Sequence, residues 1–235
     1  PDVMKHESEQ PGMFTAEKSA IKEHGVEAPE AAEDIEPKGE SIIIHARYAD
    51  KLKKELVEIV IAEGTKAVII SASDIDFKRS KIASLIKDKL VIGYDTKALV
   101  KHLWRHNLDL DYDHVFDTHI AAFMINSLVR DQSLVGLARD YLDLELEADN
   151  VTLEKLFLYE CSVIERLYAI FKRELEKSDA EKMKNLYYGV EIPSIPILAR
   201  MEEKGILLNL RYFSDMSKKL EGQISDLEQT IYGYA

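Results

Sequence analysis

Residues 67–93 decide the fold class, and they read Ala67-Val-Ile-Ile-Ser-Ala-Ser-Asp-Ile-Asp-Phe-Lys-Arg-Ser-Lys-Ile-Ala-Ser-Leu-Ile-Lys-Asp-Lys-Leu-Val-Ile-Gly93. The apolar runs at 67–70 and 90–92 have the length of β-strands. Between them, the apolar positions 82, 85 and 86 recur at helical spacing. A strand, a helix and a second strand in succession favour an α/β sheet.

The pattern extends upstream to Ser41, where three consecutive isoleucines (42–44) predict another buried strand. Leu52, Leu56, Ile59 and Val60 follow at helical spacing, and they predict a surface helix that ends at Gly64.

Beyond Lys97 the pattern is almost wholly helical, apart from a short extended segment near Val115 and Phe116. The clearest helix is the last, which Gly233 closes. Its apolar residues step by three or four positions: Phe213, Met216, Leu220, Ile224, Leu227 and Ile231.

The formal net charge of -12 is unevenly spread along the 235 residues. Residues 1–40 contain 11 acidic and 4 basic side chains, a net -7, and the remainder contains 32 and 27, a net -5. The first segment also has prolines, glycines and few aromatics, so it cannot offset the entropy of ordering. We therefore expect residues 1–40 to be a flexible acidic linker. The balance argues against a non-specific DNA clamp but is compatible with a local basic groove.

The cysteine content and the hydropathy limit the cellular environments that suit the protein. Cys161 is the single cysteine, which excludes an internal disulfide and favours a small core residue. No apolar run approaches the roughly 20 residues of a membrane helix. We expect a cytoplasmic, monomeric protein without membrane contact.

The chain begins at Pro1 rather than at a methionine, which predicts a piece of a longer parent.

Residues 191–206 carry a specific motif, Glu191-Ile-Pro-Ser-Ile-Pro-Ile-Leu-Ala-Arg-Met-Glu-Glu-Lys-Gly-Ile206. Pro193 suits a first helical turn, Gly205 suits the helix end, and Asn209 can cap the long helix that follows. A glutamate and proline, an apolar helix and then Met-Glu-x-x-Gly-Ile resemble the start of the polymerase domain in bacterial family A DNA polymerases (the DNA polymerase I family).

Three upstream segments resemble the 3'-5' exonuclease domain of the same family: Gly93-Tyr-Asp-Thr-Lys97, Phe116-Asp-Thr118 with the alanines that follow, and Ser133-Leu-Val-Gly-Leu-Ala-Arg-Asp-Tyr-Leu142. The resemblance implies a ribonuclease H-like exonuclease fold with a reduced mixed β-sheet and many helices, followed by a helical polymerase stub. The implied domains are an exonuclease-like domain at 41–185 and the first polymerase helices at 186–235.

The resemblance also implies where metal ligands would lie. In the family, two divalent metals are held by an Asp-x-Glu on the first core strand, an Asp in a second motif, and an Asp four residues after a Tyr in a third. The corresponding positions here are assigned to Ser71 and Ser73, to Leu99, and to Leu156 and Glu160. Because hydroxyls and leucines cannot replace carboxylates around hard cations, we expect no metal, no cofactor and no nuclease activity in this chain. The parent polymerase would need Mg²⁺.

These features predict an inactive exonuclease-like domain that serves as a structural or DNA-binding platform. We expect the parent polymerase to bind DNA and to carry out DNA synthesis with its other domains. One alternative is an active metal-dependent 3'-5' exonuclease that uses Asp74, Asp76, Asp95 or Glu160. A loop-and-cap role is the favoured interpretation of Asp74 and Asp76. A second alternative is a protein-interaction adaptor unrelated to polymerases.

Alternating Asp109, Asp111 and Asp113 suggest calcium, but an EF-hand loop would need glycine and glutamate where His114 and Ile120 stand. Metal binding is therefore not favoured there.

His102 and His106 lie one helical turn apart without an evident third zinc ligand, so a solvated helix face is favoured over a zinc site. A solvated face is also favoured over DNA contact for the densest basic cluster. Its members are Lys78, Arg79, Lys81, Lys87 and Lys89, flanked by Lys97, Lys101 and Arg105.

Overall fold

The isoleucine run at 42–44 lies in the central strand of a six-stranded mixed sheet. The computed structural model describes residues 27–36, 38–50, 52–144, 152–177 and 180–234. The strands are β1 (Glu30–Ala31), β2 (Ser41–Tyr48), β3 (Leu56–Glu63), β4 (Lys66–Ser71), β5 (Leu90–Gly93) and β6 (Val115–Asp117). Their order in the sheet is β1-β4-β3-β2-β5-β6.

Strand β2 pairs antiparallel with β3 and parallel with β5, and β5 pairs parallel with β6. The three isoleucines of β2 are at most 4% exposed, as expected for a strand covered on both faces. The α/β prediction is confirmed.

The predicted surface helix over residues 52–60 is wrong, because this segment is largely strand β3. Its sequence from Leu56 is rich in β-branched residues that fit a pleated, buried surface, and residues 59–62 are almost fully buried. Gly64 has a φ of +57° and does not end a helix. It lies in the two-residue loop between the paired residues Glu63 and Lys66, where positive φ suits a hairpin.

Helices cover the sheet and dominate the chain after β6, as predicted. Their bounds are α1 (Ile75–Ile86), α2 (Thr96–Arg105), α3 (Thr118–Ile125), α4 (Leu134–Leu142), α5 (Leu153–Leu175), α6 (Glu181–Leu186), α7 (Ile192–Lys204) and α8 (Leu210–Tyr232), with a π-helical turn at Tyr187–Glu191. Helix α5 packs on the sheet and buries Phe157, Ile164 and Phe171 in the hydrophobic core. Cys161 is a buried core residue on the same helix, as predicted, and burial raises the pKa of its thiol.

Residues 1–26 of the predicted acidic linker lie outside the described ranges, and its boundary at residue 40 stays a prediction. Glu30 and Ala31 form β1 beside β4, and Ile35 is only 6% exposed. Ser162 on α5 donates a 2.7 Å hydrogen bond to the carbonyl of Glu27. Glu63 accepts a hydrogen bond from the backbone N–H of Lys38 at 2.9 Å. These pairings satisfy the backbone despite the acidic composition.

The chain forms two compact units that divide between Arg200 and Met201. Residues 187, 192, 195 and 199 are buried in the core of the first unit, so compactness groups residues 186–200 with the sheet. The functional division at 185/186 stays a prediction. In the second unit, Asn209 caps α8 by accepting from the N–H of Tyr212 at 3.1 Å, as predicted.

Candidate functional site

A cleft of about 390 Å³ opens where the carboxyl end of β2 meets the beginning of α5. The side chains that matter for its chemistry are His45, Arg47, Tyr48, Lys53, Leu156, Phe157 and Glu160. Alternation along β2 places His45 and Arg47 two residues apart on one side of the strand. The helical repeat of α5 places Leu156 and Glu160 one turn apart.

His45 and Glu160 contact each other in the cleft. Nε2 of His45 lies 3.1 Å from Oε2 of Glu160, and the two side chains are 10% and 24% exposed. The carboxylate is an acceptor, so Nε2 carries the proton. Nδ1 of His45 is buried without a hydrogen-bond partner among the described residues. The hydrogen bond to Glu160 therefore assigns the donor role in this contact to Nε2.

Arg47 forms an ion pair across the β2–β3 ladder. It lies directly opposite Glu58, and Nε and Nη2 are 3.0 and 2.8 Å from Oε1 of that glutamate. The guanidinium carbon also lies 5.9 Å from the ring centre of Phe157. Charge pairing and stacking together fix the arginine at the wall of the cleft.

Lys53 forms an ion pair with Asp95. Asp95 is the N-cap residue of α2, with a φ of +52°, and its side chain accepts from the N–H of Ala98. The carbonyl of Lys53 is 2.9 Å from Nε2 of His102. This loop therefore joins α2 to the cleft through both its side chain and its backbone.

Tyr48 extends the buried polar part of the cleft. Its hydroxyl is buried without a hydrogen-bond partner among the described residues. Burial and, secondarily, the charge of Asp95 raise the pKa of Tyr48 far above the usual range. The phenol is therefore neutral and has no role as a base.

Ser71 and Ser73, the predicted first-motif positions, do not lie in the cleft with Glu160. Ser71 ends β4, which β3 separates from the central strand, and it contacts Ser73 at 3.1 Å on the exposed surface. The strand that precedes the hairpin is β2, whose polar residues are His45 and Arg47. Sequence reasoning missed both because residues 56–63 were interpreted as a helix, which hid the hairpin. The signal was the change from three isoleucines to alternating polar residues at His45.

The remaining predicted positions lie in different parts of the fold. Leu156 and Glu160 lie in the cleft, and Leu99 is 2% exposed in the hydrophobic core. Asp74 occupies the N-cap position of α1, but its side chain makes no capping hydrogen bond. Asp76 contacts His106 at 2.8 Å. Asp74 accepts a hydrogen bond from the hydroxyl of Ser73 at 3.2 Å, so both aspartates have local partners away from Glu160.

The other clusters have structural partners. The predicted solvated face is wrong for His102, which is 4% exposed and bonded to the Lys53 carbonyl. Asp111 caps a short 3₁₀ turn, and its hydrogen bond from His114 lowers the pKa of the carboxyl. In the basic cluster, Lys81 pairs with Asp34, and Lys89 donates to the carbonyl of Gly39. Within the described ranges, no three His, Cys, Asp or Glu side chains are grouped to hold a metal ion.

The sequence of this chain is similar to those of bacterial DNA polymerases. DNA polymerase I of Chloroflexus aurantiacus is 31% identical over 145 residues, which are 51% of this chain and 14% of that protein. DNA polymerase I of Helicobacter pylori is 24% identical over 172 residues, which are 69% of this chain and 19% of that protein. This chain is related to bacterial DNA polymerase I. It spans less than a fifth of the length of these two relatives, and no family model matches it.

Solved structures share the fold. The POL domain of Pol1 from M. smegmatis, in complex with DNA primer-template and dNTP, has a TM-score of 0.63 at 22% identity, covering 80% of this chain and 33% of that one. NrnC of Brucella melitensis has a TM-score of 0.56 at 16% identity, covering 72% and 87%. The predicted α/β fold with a mixed sheet and many helices is thus confirmed. No helix in the described part is long and apolar enough to cross a membrane.

Proposed function

We propose that this chain is a segment of a DNA replication or repair polymerase whose exonuclease-like domain does not hydrolyse DNA. Its role is that of a structural or DNA-binding platform, and synthesis belongs to other parts of the parent polymerase. The relationship to DNA polymerase I supports the polymerase context. The observation that carries the inactivity is the pair of side chains, His45 and Arg47, on the strand before the hairpin.

These residues do not fit the two metal ions that the family implies. His45 and Arg47 have the two-residue spacing of the family's Asp-x-Glu, and we assign them to that motif because β2 carries them into the cleft with Glu160. An arginine has no lone pair for a metal, and the second motif offers the side chain of Leu99. Glu160 is then the one carboxylate among these four positions, and His45 contacts it. Hard divalent cations need several converging oxygen ligands.

The packing supports a platform role. The sheet and its helices are closely joined: Asp117 at the end of β6, for example, is 1% exposed and accepts hydrogen bonds from the N–H of Thr96, His119 and Ile120 at 2.7, 2.9 and 3.1 Å. A fully bonded buried carboxylate of this kind stabilises the junction of a strand and two helix ends. Selection for a folded support would preserve such contacts after catalysis is lost.

A nuclease assay tests the proposal directly. The chain is incubated with end-labelled single-stranded DNA in magnesium or manganese, and product lengths are followed on a sequencing gel. We expect no shortening above the buffer control, and the same result for Glu160→Gln. Metal-dependent shortening that disappears in Glu160→Gln would instead establish an active exonuclease with non-standard ligands.

The platform role has its own measurement. Fluorescence anisotropy with single-stranded and primer-template DNA distinguishes a DNA-binding platform from a purely structural one. Salt-dependent binding would assign DNA contact to this chain, because phosphate contacts release counterions. We also expect the chain to be a monomer. Analytical ultracentrifugation of the same samples checks this expectation.

A further inference from the structure

Three cationic or proton-donating side chains around the cleft each contact one carboxylate. His45 contacts Glu160 on α5, and Arg47 contacts Glu58 on β3. Lys53 contacts Asp95 at the beginning of α2. Each pair thus joins two different elements of the first unit.

We infer that these resident side chains have taken the place of the family's metal ions, so that the cleft stabilises the domain without any divalent metal. The inference rests on the proposed loss of metal ligands and adds a role for what replaced them. Glu160 lies in a partly buried cleft, where a carboxylate is costly unless positive charge or a hydrogen-bond donor lies beside it. In this chain, Arg47 and Lys53 supply that charge and His45 supplies a donor.

The same contacts oppose entry of a metal ion. One oxygen of Glu160 is already bonded to His45. Arg47 and Lys53 line the cleft with side chains that are each 33% exposed. A divalent cation would therefore have to displace a hydrogen bond and approach two like charges. The guanidinium of Arg47 additionally lies 5.9 Å from the ring centre of Phe157, a contact that favours its position in the cleft.

Thermal unfolding of the full chain tests the inference. Arg47→Met and Lys53→Met remove one cation each, and Arg47→Lys keeps the charge. The matched control is Lys177→Met, which breaks a surface pair with Glu174 at 2.6 Å. We expect the first two variants to lower the unfolding midpoint by about 2–5 °C, the control to lower it by about 1 °C or less, and Arg47→Lys to recover most of the loss. Circular dichroism at low temperature verifies that each variant is folded before heating.

Millimolar MgCl₂ or MnCl₂ should leave the wild-type midpoint unchanged. The inference is overturned if manganese raises that midpoint and Glu160→Gln removes the rise. It is also overturned if Arg47→Met and Lys53→Met behave like Lys177→Met, or if Arg47→Lys is as damaging as Arg47→Met. A metal-induced rise without DNA shortening would sink this inference alone, whereas metal-dependent shortening of DNA would overturn the proposed function.

Discussion

The hydroxyl of Tyr187 donates a hydrogen bond to the carbonyl of Asp117 at 3.0 Å and accepts one from the backbone N–H of the same residue at 2.8 Å. Tyr187 is completely buried, and its ring lies 5.1 Å from that of Phe116. This double contact ties the π-helical turn to the end of β6. It satisfies two backbone groups at the sheet edge that would otherwise be buried without partners.

Replacing Tyr187 by phenylalanine should destabilise the fold. Because the ring is kept, the change mainly leaves the N–H and carbonyl of Asp117 unpaired, at a cost of about 2–4 kcal/mol in the free energy of unfolding. Urea denaturation followed by circular dichroism measures this loss. Tyr188→Phe is the matched control, since Tyr188 is 40% exposed. Equal stability of the two variants would contradict the prediction.

Alkaline pH should unfold the protein through its buried tyrosines. Burial raises the pKa of Tyr48, Tyr94 and Tyr187 far above the usual value, with nearby aspartates as secondary causes. In the unfolded chain tyrosine ionises near pH 10. The stabilising contribution is therefore complete below about pH 10 and decreases above it, by about 1.4 kcal/mol per pH unit for each such tyrosine.

The free energy of unfolding measured between pH 8 and about pH 11 checks this slope. Tyr48→Phe should make the decline shallower by the contribution of one tyrosine, because it removes an ionisable group whose hydroxyl lacks a described partner. A profile that is unchanged in Tyr48→Phe would argue against the buried phenol as a cause.

Two glycines in helices should respond oppositely to alanine. A Cβ at Gly136 in α4 would lie 2.5 Å from the backbone oxygen of Asp131, and a Cβ at Gly189 would meet nothing within 4 Å. We expect Gly136→Ala to cost about 1–3 kcal/mol and Gly189→Ala to gain about 0.5–1 kcal/mol. Thermal melts of both variants test the contrast, and a gain in Gly136→Ala would show that the loop before α4 yields freely.

The contact between the hairpin and the segment before β2 can be released by one change. Glu63→Ala removes the acceptor for the N–H groups of Lys38 and Gly39. We expect faster hydrogen exchange at these two amides and a loss of about 1 kcal/mol in stability. Ser84→Ala, which removes an exposed side-chain hydrogen bond on α1, is the control. Unchanged exchange in Glu63→Ala would place the restraint elsewhere.

The local sequence pattern predicts the structure correctly wherever residues close in sequence decide it. The period of α8, its Asn209 cap, the stop at Gly205 with a φ of +64° and the burial of Cys161 were all predicted correctly. It failed at residues 56–63, where apolar spacing fits both a helix and a strand. Cross-strand pairing with β2 and β4 decides in favour of the strand.

The sequence by itself determined the α/β class, the relationship to DNA polymerase I and the position of Glu160 on a helix, because these depend on short motifs and periodicity. Only the tertiary structure decided that His45 and Arg47, rather than Ser71 and Ser73, face Glu160 across a cleft. The pairing of residues 45 and 160 spans 115 positions. Such a contact depends on strand order in the sheet and on how α5 packs against it, which local pattern does not encode.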